Sequence, residues 1–131
     1  MVYYKTDYLQ VEYHNISDVL IAQWYAGCSS LQYRQALIRI IRLARELHVQ
    51  NAVLDRRLLQ PVSEEDLNWT CTIYVSAYAK LPLKRLAVIN AFDSRTERQQ
   101  QKLYAQLSSY VTIRSFDDLT SAYDWLTSVP A

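Results

Sequence analysis

The sequence predicts an α/β domain on a mixed, mostly parallel sheet, opened by an antiparallel hairpin and covered by about four helices. Three observations predict it. From residue 30 onward, short apolar runs alternate with amphipathic helical stretches. Two segments rich in Tyr, Val, Ile and Leu precede that alternation with a turn between them. No Pro-rich or Gly-rich linker and no internal repeat divides the 131 residues, so the whole of 1–131 reads as one unit. Half of the residues are hydrophobic, and a chain of this length buries roughly two-thirds of its unfolded surface, enough for a core without disulfides or structural metal.

Residues 8–14 and 18–25 alternate partly, and Asn15-Ile16-Ser17-Asp18 supplies the turn of the hairpin; the first strand is expected to extend backwards through Val2, Tyr3 and Tyr4. Over residues 30–48, Tyr33, Leu37, Ile40, Ile41, Ala44 and Leu47 fall on one face at helical spacing. Ala52-Val53-Leu54 suits a buried strand beside a crossover helix. Ser63 before Glu64, Glu65 and Asp66 combines an N-cap hydroxyl with carboxylates at the positive helix end. The buried face of that second helix is expected at Leu67, Cys71, Tyr74, Tyr78 and Leu81, with Pro82 helping to end it. Leu86 to Ile89 makes the next strand, and Ser94 is expected to cap a third helix running through Leu107. Residues 111–116 form the last strand, and Asp117-Asp118 opens a terminal helix carrying Leu119, Ala122, Tyr123 and Leu126.

The composition excludes several functions. A formal net charge of +1 lacks the long-range field of a strongly basic nucleic-acid binder, so no nucleic-acid partner is expected. One glycine in the chain cannot furnish a Walker-type loop or a dinucleotide fingerprint. His14 and His48 have no Cys, Asp or Glu at metal-ligand spacing, so neither metal nor cofactor is expected. Apolar stretches such as Val19-Leu20-Ile21-Ala22 fall far short of the roughly 20 residues of a spanning helix. Met1 to Asp7 shows neither a basic leader nor an apolar signal core, which points to the cytoplasm, with Cys28 and Cys71 as free thiols.

Trp24-Tyr25-Ala26-Gly27, Tyr33-Arg34, Val53-Leu54-Asp55-Arg56, Leu86-Ala87-Val88, and Ser115-Phe116-Asp117-Asp118-Leu119 with Ala122 and Trp125-Leu126 together resemble the STAS-like domains, named for sulfate transporters and anti-sigma-factor antagonists, in their small stand-alone bacterial branch. The resemblance covers nearly the whole chain and implies the same topology as the periodicity. It also implies a regulatory role. In regulatory members a serine at the start of the second helix is phosphorylated by a partner kinase, and Ser63 stands near that place. Here the turn reads Pro61-Val62-Ser63-Glu64-Glu65-Asp66, with no Ser-Ser-Gly and with acidic side chains where a phosphate would add charge. Ser63 is thus both a candidate phosphorylation site and an ordinary N-cap.

Other candidates come from the residues themselves. Arg34, Arg39, Arg42 and Arg45 occupy an arc of roughly 140° opposite the apolar face of the first helix. They offer either a surface for an acidic partner or lipid headgroup, or a solvated face with Arg42 paired to Glu46. Arg56 and Arg57 follow the central strand, where open α/β sheets place ligands. They are candidates for holding an anionic molecule, with Lys84 or Arg85 nearby; the alternative pairs Arg56 with Asp55 or Asp93 and leaves Arg57 in water. Trp69 and Ile73 on the second helix suit a homodimer face or the lid of an apolar pocket. Cys28 is a turn residue, or a thiol activated by the following helix. No nucleophile, base and orienting group can be assembled, so catalysis is not expected. The expected function is a non-enzymatic regulatory or protein-interaction module that forms a homodimer or binds a protein partner. The alternative is a carrier or sensor of a small anionic or lipid-like ligand, since STAS-like folds are similar to the lipid-carrying CRAL-TRIO domains.

Overall fold

The computed structural model describes residues 1–128. Six strands form one mixed sheet in sequential order: β1 (Val2–Lys5), β2 (Leu9–His14), β3 (Val19–Trp24), β4 (Asn51–Asp55), β5 (Arg85–Ile89) and β6 (Thr112–Phe116). The first three are antiparallel and β3 to β6 are parallel, with Val19 beside Asn51, Asn51 beside Arg85 and Arg85 beside Thr112. The connections are α1 (Ser30–Glu46), a composite helix α2 and α3 (Ser94–Leu107); α4 (Leu119–Thr127) follows β6. The α2 helix starts as Glu64–Trp69, widens into a π turn over Thr70–Tyr74, resumes at Val75–Ala77 and tightens into a 3-10 turn at Tyr78–Lys80.

Each parallel crossover steps one strand in the same direction, and a constant hand places α1, α2 and α3 on one face of the sheet. Alternate strand residues divide accordingly. Leu20, Ala22, Trp24, Ala52, Leu54, Leu86 and Val88 meet those three helices, whereas Val19, Ile21, Val53, Ala87 and Ile89 meet Ala122 and Leu126 of α4.

The expected fold class is the one observed, with local differences. The N-terminal residues form a separate strand, not an extension of β2: Thr6 Oγ1 accepts from the backbone N–H groups of Tyr8 and Leu9 and turns the chain into a second hairpin. Asp93, not Ser94, caps α3 by accepting from the N–H groups of Arg95 and Thr96. Ser29 and Gln32 close a capping box at the start of α1. The α1 core face gains Ala36 and Leu43, while Ile41 and Leu47 are only half-buried. In α2 the π turn advances the buried stripe to Leu67, Thr70, Tyr74, Val75 and Tyr78, leaving Cys71 half-buried. Arg42 and Glu46 form no ion pair among the described residues.

Candidate functional site

The period of the central strand continues one residue past its end. Leu54 points into the helical layer, Asp55 to the other face, and Arg56 back under the helices. Arg56 is only 3% exposed. Its Nη1 donates to Gln100 Oε1 at 2.7 Å, and its guanidinium carbon lies 4.6 Å from the centre of the Tyr104 ring. Its Nε and Nη2 are buried without a partner, and no carboxylate pairs with it among the described residues. Burial pushes the Arg56 guanidinium down to about 10 against the opposing field of Glu97, so it carries its charge at neutral pH. A buried ion without a counter-charge costs several kcal/mol, on the order of 3–5 when a partner is removed.

Arg56 faces a small chamber of about 20 Å³, walled by apolar Trp24, Leu54, Val88 and Leu103 and by polar Tyr33, Thr70, Gln100 and Tyr104. That is room for about one or two oxygen-sized groups. Tyr33 Oη and Thr70 Oγ1 lie 2.9 Å apart, and Thr70 Oγ1 also donates to the Asp66 carbonyl at 2.6 Å. The Tyr104 hydroxyl is buried without a partner. Thr70 and Tyr74 reach the chamber from the π turn of α2, a local widening that frequently marks functional positions. Behind them, Tyr74 and Tyr78 share a hydrogen bond between their hydroxyls. Burial raises both phenols, Tyr78 to about 12, so they remain neutral near pH 7.

Tyr33 and Leu59 also line a second space of about 120 Å³ that includes Gly27, Cys28, Gln60, Ser63 and Asp66. These two side chains therefore stand between the Arg56 chamber and an outer vestibule beyond the C-terminal ends of the strands. Ser63 caps α2 there, its Oγ accepting from Asp66 N–H at 3.1 Å. Burial would raise the Asp66 carboxyl, but hydrogen bonds from Ser30 Oγ at 2.7 Å and Arg34 Nε at 2.8 Å hold it below the usual range. Burial and the Asp66 charge push the Cys28 thiol up, the reverse of what activates a nucleophilic cysteine.

No family model, curated protein or solved structure matches the chain. The STAS-like resemblance therefore rests on the sequence residues that carry it. Among the described residues, no helix is long and apolar enough to cross a membrane, and no three His, Cys, Asp or Glu side chains gather as a metal site.

The structure separates the residues that the sequence grouped as anion ligands. Arg57 grips Asp55 through Nε at 3.0 Å and Nη2 at 2.7 Å, and Gln23 donates to the same carboxylate at 3.2 Å. Burial would raise Asp55, and these hydrogen bonds instead leave it below the ordinary range. Arg57 is thus committed to a structural pair. Lys84 sits before β5, where its N–H donates to the Gln50 carbonyl. In a parallel sheet that is the opposite end from Arg56, so Lys84 does not join the site. Arg85 donates to the Trp125 and Leu126 carbonyls and closes the C-terminus of α4.

Trp69 and Ile73 do come together. They line a groove between α1 and α2 with Ile38, Ile41, Arg42 and Arg45; Ile73 is 56% exposed, and the Arg34 guanidinium covers the Trp69 ring at 5.2 Å. Gln100, Tyr104 and Thr70 were missed as site residues. Spacing from Leu103 and Leu107 would have placed Gln99 and Gln100 on the buried side of α3, but nothing local tells which of the two meets Arg56.

Proposed function

We propose that the chain is a STAS-like, non-enzymatic regulatory domain that senses a small anionic ligand at Arg56 and reports it through self-association at the Trp69 and Ile73 groove. The observation that carries this reading is the buried guanidinium with two unanswered N–H groups beside a chamber. An anion there would satisfy both nitrogens and remove an uncompensated charge from the interior. Tyr74 lines both the chamber and the outer groove, and it ends the π turn that also carries Thr70 and Ile73. Movement of that turn on ligand entry would therefore reach the surface directly. The setting proposed for this role is the cytoplasm.

The test is thermal unfolding of the wild-type protein and Arg56→Met in chloride, nitrate, acetate and phosphate at fixed ionic strength. Binding to the folded state is expected to raise the wild-type midpoint by roughly 10 °C at about 100 times the dissociation constant. Arg56→Met is expected to respond to none of them. A protein whose midpoint shows no Arg56-dependent response to any small anion is not a sensor of this kind.

A further inference from the structure

We infer that the Arg56 chamber selects a planar, singly charged oxyanion, and that its ligand class is the short-chain carboxylate. This inference rests on the reading of Arg56 as an anion anchor. The two unanswered atoms are Nε and Nη2, which share one edge of the guanidinium and present parallel N–H groups. Arg57 uses the same pair of atoms to grip the Asp55 carboxylate, with Nε on Oδ1 and Nη2 on Oδ2. The third nitrogen of Arg56 is tied to Gln100, and its guanidinium carbon lies against the Tyr104 ring, so the free edge is held in place. The nearby space of about 20 Å³ has room for about two oxygen atoms, the number a carboxylate would place on that edge.

One cation and one free edge complement a single negative charge on two coplanar oxygens. Chloride offers a single centre to both N–H groups, so its two hydrogen bonds are bent where those of a carboxylate are straight. Phosphate brings additional charge and tetrahedral oxygens into a wall that is largely apolar, where unpaired charge is costly. The body of the ligand must be short and apolar, because Trp24, Leu54 and Leu103 surround the chamber, and its chain would run toward Tyr33 and Leu59, which line both the chamber and the 120 Å³ vestibule.

Calorimetric titration at constant ionic strength with propionate, nitrate, bicarbonate, chloride and phosphate tests this selection. Propionate is expected to bind most tightly. Gln100→Glu, which keeps the side-chain shape and places a carboxylate against Nη1, is expected to weaken propionate about ten- to hundredfold. Because that variant gives Arg56 a counter-charge, it is also expected to fold, and its thermal midpoint confirms this independently. Tighter binding of nitrate or bicarbonate than propionate would keep a planar oxyanion but overturn the carboxylate assignment. Chloride or phosphate binding as tight as propionate would overturn the planar selection and leave Arg56 as a general anion anchor. Absence of binding by every anion would overturn both readings, with the chamber holding water only.

Discussion

Arg56 and Arg57 are neighbours in the chain, yet only Arg57 meets a carboxylate. Arg57 closes a two-pronged pair with Asp55, while the same two nitrogens of Arg56 lie buried and unanswered under the helices. One arginine fastens the end of β4; the other keeps two N–H groups without a partner. Arg57→Ala is expected to destabilise the fold by about 1–3 kcal/mol, because Asp55 stays buried while the partly exposed arginine is lost. Urea unfolding measures this, and anion binding at Arg56 is expected to persist in the folded variant.

Arg56→Met is expected to have the opposite effect on stability. Replacing an uncompensated buried charge with an apolar side chain of similar length leaves stability unchanged or raises it by about 1–4 kcal/mol in anion-free buffer. Denaturation curves with equal slopes for both proteins would validate the comparison. A clear loss of stability would mean that Arg56 is needed for folding itself.

Acid is expected to weaken the fold through Asp55 and Asp66. Both carboxyls lie below their ordinary range in the folded protein, so the unfolded chain takes up protons first as pH falls. Their contribution is complete above about pH 4, the unfolded value, and is lost as pH drops through the folded values. Asp66→Asn is expected to lower stability at pH 7 and to flatten the acid limb. Chemical unfolding between pH 7 and pH 2 follows both effects.

The groove between α1 and α2 makes a separate claim about assembly. Ile73 is more than half exposed and packs little within the protomer, so Ile73→Ala is expected to change stability by less than about 0.5 kcal/mol. Sedimentation velocity is expected to show a dimer that dissociates more readily in Ile73→Ala and in Trp69→Ala. An unchanged sedimentation profile in both variants removes this surface from the functional account.

Much of the fold was legible because its signals are local. The buried runs at Ala52 to Leu54 and Leu86 to Ile89, the helical spacing of α1 and the Ser63 cap each carry their own information. The separate β1 was not legible, because Thr6 makes its turn with a side-chain oxygen and without Gly or Pro. The π turn in α2 also escaped, since Thr70 reaches the buried side only when one turn widens. At the site, Arg56 was readable from its place after β4, and strand alternation beyond Leu54 would have separated it from Arg57. Gln100 and Tyr104 come from α3, more than forty residues later. Only the packing of α3 over the sheet brings them to Arg56. Lys84 was misplaced for a related reason: the β4 to β5 crossover returns the chain to the other end of the sheet.

The most direct test of the central claim is the nuclear magnetic resonance signal of the Arg56 Nε–H in wild-type protein, assigned by its loss in Arg56→Met and followed during titration with propionate and then with chloride. A saturable downfield shift with propionate and no comparable shift with chloride is expected of a carboxylate held on the Nε and Nη2 edge. An Nε–H signal unmoved by propionate at saturating concentration would contradict that claim.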